Sequence, residues 1–194
     1  MNVTTVRNLV ERAGIRTRPP TSASAIRQLE KRGQIQLPDD YIKFITQIAN
    51  GGLSPCRLVP LEYWFACHWI DDVTPELSLR APCKISPEIA SLQSEWIRAA
   101  GGPDWEASFD AGTWDPMFGT IAVCEIGCGL CYSMIANGPY TGRVFSYGDS
   151  TDNPPRFVEQ LTFGDWITAE LDRCARGEPV HHLNGRSPER PTRR

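Results

Sequence analysis

Three thiols recur at close spacing in Cys124-x3-Cys128-x2-Cys131. Three thiolates can hold zinc when a fourth ligand, such as Cys174 or His68, completes the tetrahedron. These are metal candidates of low specificity, since the usual signature is a Cys-x2-Cys pair at each of two places and this is half of one. The same cysteines alternate with apolar residues in a stretch that reads as a hairpin, so buried thiols are the default. Cys67 and His68 are sequence neighbours whose side chains diverge, which is the wrong relation for a nucleophile and its base. His181-His182 falls in a polar tail and reads as a solvated pair. The chain has no Gly-x-Ser-x-Gly elbow, phosphate loop, dinucleotide fingerprint or His-Glu-x-x-His. Gly127-Cys128-Gly129 is too short to cradle a phosphate and reads as a turn. The expectation is a protein that is not an enzyme and needs no cofactor.

What remains is surface chemistry. Trp69, Trp105 and Trp114 share a loop-rich region with Asp71, Asp72, Glu76, Asp104, Glu106, Asp110 and Asp115. Asp149 and Asp152 follow a predicted strand. Aromatic anchors ringed by carboxylates suit a tight interface with a basic protein. The plain alternative is that the tryptophans fill the core and the acids face solvent. The protein-binding candidates are Trp69, Asp71, Asp72, Glu76, Trp105, Asp115, Asp149 and Asp152.

The charge distribution points the same way. The net charge is −3, but residues 1–33 carry +5, residues 176–194 carry +3 and residues 34–175 carry −11. An acidic body does not suit nucleic acid but does suit a basic partner. At 194 residues with 41% apolar content, one domain with long loops is expected. No stretch approaches a membrane span, and the N-terminus lacks an apolar run of signal-peptide length. Seven irregularly spaced cysteines in such a chain read as reduced thiols, so a cytoplasmic protein is expected.

The elements that must position these residues are legible in parts. Apolar residues at 3, 6, 9 and 10 predict a short helix, and Arg16 to Pro20 a linker. Ser22 or Ser24 can cap a helix that Gly33 stops. Leu37 to Gly52 reads as a complete helix: Pro38 at the first position, Asp39 and Asp40 on the positive dipole end, Tyr41, Phe44, Ile45 and Ile48 on one face, and Asn50-Gly51-Gly52 as the stop. These two helices should form a hairpin. Arg57 to Leu61 predicts a strand, and Glu62 to Ile70 either a strand or a helix. Residues 71–117 read mostly as loop, with one helix from a Ser86 cap to Gly101 and a packed aromatic loop from Pro103 to Pro116. Thr120–Cys124, Leu130–Ile135 and Gly142–Tyr147 predict an antiparallel meander. Thr162-Phe163-Gly164-Asp165 resembles a capping box ahead of a final helix, and residues 177–194 read as a disordered basic tail.

Several of these words occur together in one known family. The Leu-Pro-acidic-x-Tyr start, the Asn-Gly-Gly stop, the Gly-rich turn at 127–129, the Gly142-Arg143-Val144 step and the Thr162-Phe163-Gly164-Asp165-Trp166 helix start resemble the SUKH superfamily of Smi/Knr-like proteins. The resemblance implies a single α+β domain over residues 1–176, with a curved antiparallel sheet, N-terminal helices, a C-terminal helix packed on the sheet, and an insertion at about 71–117. It also implies a bacterial immunity protein that binds and neutralises a cognate toxin, a basic nuclease being the partner that suits the charge. The alternative is a non-catalytic regulatory scaffold for a cellular protein. No direct nucleic-acid or membrane partner is implied, and a monomer or weak homodimer is expected.

Overall fold

The computed structural model describes residues 1–53, 57–70, 73–127, 130–148 and 154–178. Among these the order begins with α1 (Val3–Arg12), β1 (Arg16–Thr17), α2 (Ala23–Gly33), α3 (Asp39–Gln47), β2 (Gly52–Leu53) and β3 (Arg57–Leu58). There follow α4 (Pro75–Ser78), α5 (Pro87–Ala90), α6 (Trp96–Gly101) and α7 (Trp105–Asp110). The chain then forms β4 (Thr120–Gly127), β5 (Leu130–Ile135), β6 (Val144–Tyr147), β7 (Arg156–Phe157) and α8 (Phe163–Ala175). Strands β3 to β7 make a five-stranded antiparallel meander in sequence order, and β1 pairs with β2 in a separate ribbon. The fold is α+β, with an open sheet. No helix among the described residues is long and apolar enough to cross a membrane.

One face of the sheet is covered by α1, α2, α3 and α8. Helix α3 starts one residue later than its proline suggests: Pro38 keeps an extended backbone outside the helix, and Asp39 and Asp40 occupy the first turn. Tyr41, Phe44 and Ile45 are buried as their spacing requires. The Asp40 carboxylate reaches out of its own helix and accepts the backbone N–H of Gly164 at 2.5 Å, in the first turn of α8. Thr162 caps the same turn, accepting from Asp165 N–H at 3.1 Å while its hydroxyl donates to the Asp165 carboxylate at 2.9 Å. Both acids thus sit at the positive end of α8. Tyr41 and Phe44 meet Phe163 edge-on, Phe163 meets Trp166, and Trp166 meets Tyr132 on β5, a continuous aromatic line from α3 through α8 to the sheet.

Three local readings are corrected here. The expected linker at Arg16–Thr17 is a strand, paired with Gly52–Leu53 just past α3. Helix α2 ends at Gly33 as expected, but the left-handed cap falls on Gln34 at φ 51°, and an added Cβ at Gly33 would lie 2.9 Å from Leu79 Cβ. Helix α2 therefore rests mainly on α4, while α3 packs on α8, so the two do not form a hairpin. Asn50 does more than end a helix. Its side chain accepts from Leu61 N–H at 2.8 Å and donates to Glu62 at 2.9 Å, fixing a 3-10 turn at Leu61–Tyr63 where a strand or helix was expected.

The second face of the sheet is covered by the insertion. Trp96, Ile97, Ile85 and Met117 pack on Ala122, Ile135, Phe145 and Tyr147. Ser86 caps α5 as predicted, but the helix lasts one turn: Leu92 is exposed, Gln93 takes φ 51°, and α6 restarts at Trp96. With both faces covered, all four β6 residues are buried, so the period-two pattern there reports two cores and not one wet face. The bulge on β4 between Ala122 and Cys124 turns Cys124 to the helical side, against Tyr132, while Cys131 faces the insertion. Cys131 is bonded there to Cys67, with Cα atoms 6.3 Å apart. This corrects the expectation of reduced thiols throughout; Cys83 and Cys124 are free and buried.

The Asp40 link can be tested directly. Asp40→Ala removes an acceptor from the start of α8 and should lower stability in urea unfolding by about 1–2 kcal/mol.

Candidate functional site

The insertion is closed by one carboxylate. Asp115 is 1% exposed. One oxygen accepts from the backbone N–H groups of Trp69 at 2.8 Å and Ile70 at 2.9 Å, and the other from Met117 N–H at 2.6 Å. Both ends of the insertion are thereby pinned to each other. The loop before it is also held by the Cys67–Cys131 disulfide and by the Tyr147 hydroxyl, which donates to the Cys67 carbonyl. Burial pushes the Asp115 carboxyl up, and the three backbone donors pull it back down.

His68 and Ser78 lie beside this carboxylate. His68 Nδ1 is 3.9 Å from Asp115, and Nε2 is 3.5 Å from the Ser78 hydroxyl. The order Ser–His–Asp invites a catalytic reading, but the distances are long and Ser78 is wholly buried. Asp115 is spent on backbone donors and does not orient the ring. Burial lowers the His68 pKa to about 4, against an opposing hydrogen bond to the Thr120 backbone, so the ring is neutral and the contact is not an ion pair.

The accessible chemistry lies outward from this knot. Trp69 stacks on Tyr147 with ring centroids 6.2 Å apart and meets Trp96 and Phe109 edge-on. With Trp105 and Phe109 it walls a surface pocket of about 400 Å³, whose remaining lining is Glu106 and Asp110. On α7 the pairs Trp105/Phe109 and Glu106/Asp110 each lie four residues apart, so aromatic and acidic stripes run side by side. Trp105 is supported from below by Trp114, edge-on at 6.3 Å. That contact requires a glycine at 101, where a Cβ would fall 2.5 Å from Trp105 Cβ and 2.8 Å from the Trp114 ring. Beyond Trp105 and Glu106 a second depression is lined by Ser94, Glu95, Ile97 and Arg98. Residues 84–110 hold five Asp/Glu against two Lys/Arg, so the surface of the insertion is acidic. The basic N-terminal helices cover the other face.

The sequence candidates divide clearly. Trp69 and Trp105 meet at the pocket, both half-buried. Asp115 does not belong on an interface; it is the buried acceptor just described, a correction with a plain cause in its three backbone donors. Glu76 is on α4, paired with Arg32 at 2.9 Å and away from the pocket. Asp71, Asp72, Asp149, Asp152 and Cys128 lie outside the described residues. Cys124 and Cys131 face opposite sides of the sheet, and Cys131 is in the disulfide, so the two cannot share a metal. Burial pushes the Cys124 thiol up to about 12, which keeps it protonated and inert. Among the described residues no group of three potential ligands is placed to hold a metal ion. Phe109 was missing from the candidates, and Glu106 and Asp110 were named among the surrounding acids but not chosen, though the four-residue spacing in Trp105-Glu106-x2-Phe109-Asp110 marks a shared helical face.

The family model described as SMI1/KNR4 family (SUKH-1) matches residues 20–169. The chain belongs to this family. The match spans the whole sheet, the insertion and the first half of α8, so the pocket lies inside the SUKH-1 domain; α1 precedes the matched residues. Neither the curated proteins nor the solved structures include a significant match to the chain.

Two measurements test the knot that supports the pocket. Asp115→Asn keeps the shape but turns one acceptor into a donor facing backbone N–H groups, and should cost about 1–3 kcal/mol in urea unfolding. His68 is neutral in the fold, whereas the unfolded chain takes up a proton below about pH 6.5. Stability should therefore fall as pH drops from 7.5 to 5.5, by about 1 kcal/mol from this group, and His68→Gln should flatten the fall. Asp115, with a raised pKa, works in the opposite direction at lower pH, so the comparison is confined to that window.

Proposed function

We propose that this SUKH-1 protein is an immunity protein, which binds a cognate toxin domain and blocks it without catalysis. The family membership carries this reading. Two further observations support it. The chain's chemistry is gathered on an acidic, aromatic face built from the insertion. Among the described residues, Ser78–His68–Asp115 has a catalytic order of residue types, and it is buried and spent on structure. A basic toxin domain, such as a nuclease, is the partner whose charge complements a body of −11. Occlusion needs only that the complex covers the toxin's active site and dissociates slowly.

The test is co-expression of this protein with the product of the neighbouring gene, followed by affinity capture and kinetics. A stoichiometric complex of nanomolar or tighter affinity is expected, with inhibition of the toxin's activity. The association rate should fall by about tenfold or more between low and high salt, while the dissociation rate changes little. A tight complex whose association rate ignores salt overturns the electrostatic part. Capture of a cellular protein unconnected with any toxin, with no protection of the host, overturns immunity and favours a regulatory scaffold.

A further inference from the structure

We infer that the pocket between Trp69, Trp105 and Phe109 receives an arginine side chain from the basic partner, with Glu106 and Asp110 taking its charge. This rests on the immunity reading for the identity of the partner, but its chemistry stands on the pocket alone.

The argument begins with the walls. Three aromatic rings present π-faces and edges to a space of about 400 Å³, and none of the three is fully buried. Aromatic faces attract cations, and the guanidinium suits them best because it is planar and weakly hydrated. An apolar anchor would fit the rings but would desolvate the two carboxylates without compensation. A guanidinium answers both, stacking on a ring while its N–H fork reaches a carboxylate. Glu106 and Asp110 are exposed, without a described ion-pair partner, and one turn apart on α7. The charge of the segment agrees: residues 93–114 hold Glu95, Asp104, Glu106 and Asp110 against Arg98, a net of −3. The pocket is also preformed. Trp69 is fixed through the Asp115 knot and Trp105 through Trp114 and Gly101, so little ordering cost remains for the partner to meet.

The experiment uses the full chain, nitrogen-labelled, with NMR detection of the Trp69 and Trp105 indole signals. The probes are blocked Gly-Arg-Gly, Gly-Lys-Gly, Gly-citrulline-Gly and Gly-norleucine-Gly peptides. Citrulline has nearly the shape of arginine without its charge. Saturating shifts with the arginine peptide are expected, with affinity about tenfold or more above the citrulline peptide. The Glu106→Gln/Asp110→Asn variant should lose those shifts while the rest of its spectrum stays folded. Should that double variant fail to fold, Glu106→Gln alone is used. Equal binding of the citrulline or norleucine peptides, tighter binding of the lysine peptide, unchanged binding by the variant, or no indole shift at all would each overturn the proposal. The two readings fail separately. Arginine binding without any toxin complex sinks immunity and leaves the pocket. A toxin complex of undiminished affinity in the double variant leaves immunity and sinks the pocket.

Discussion

The insertion depends on the buried Asp115 carboxylate. A region of more than forty residues between two sheet strands gains little stability from its own short helices, since one-turn helices are marginal by themselves. Its core packs on the sheet, and its two ends are joined by one side chain that accepts three backbone donors, two at Trp69 and Ile70 and one at Met117. Those N–H groups would otherwise be buried without partners, at a cost of about 1–3 kcal/mol each. The carboxylate loses solvation, and the donors offset part of that loss. That exchange keeps Trp69 beside Tyr147, and so sets one wall of the pocket. It also explains why an acid that looks like a surface anchor in the sequence is the least exposed acid of the insertion.

The sheet divides the molecule into two cores with different tasks. On one side, α3 and α8 are tied by Asp40 to Gly164 and by the aromatic line from Tyr41 to Tyr132. This side is built for stability, and it takes the basic helices. On the other side, the insertion lays Trp96 and Ile97 on Phe145 and Tyr147 and turns its acids outward. The bases gathered in α1 and α2 thus lie on one side of the sheet, and the acids of the insertion on the other.

The helices at both ends and the meander were legible in the sequence because local signals and tertiary burial agree there. The Ser22, Ser86 and Thr162 caps, the Tyr41–Phe44–Ile45 stripe and the strands at 120–124 and 130–135 need no long-range information. The failures have specific causes. Gly33 is the helix end it looked like, but the left-handed residue is Gln34, and the missing Cβ at 33 serves contact with Leu79, forty-six residues away. Arg16–Thr17 looked like linker because a two-residue strand has no periodicity. The disulfide could not be read from spacing, since a bulge on β4 decides which cysteine of the hairpin faces Cys67. At the pocket, Trp69 and Trp105 were visible as residue types. Their meeting was not, because it depends on Asp115 being inside.

The same rings serve the fold and the surface, and this couples the two. Trp69 touches Trp96 and Tyr147 inward and lines the pocket outward. Trp105 leans on Trp114 across Gly101 and lines it from the other side. Substituting either ring removes a pocket wall and core contacts together, so lost binding in such a variant would not by itself locate an interface. Glu106 and Asp110 are free of this coupling. They are exposed on α7, and no shared core contact links them to the sheet. Binding energy in an interface concentrates in rigid aromatic anchors, while charges around them set partner choice and approach rate. On the proposed reading the first role is locked to stability and the second is not, so variation in partner specificity would proceed through the acids of α7 while the aromatic frame stays fixed.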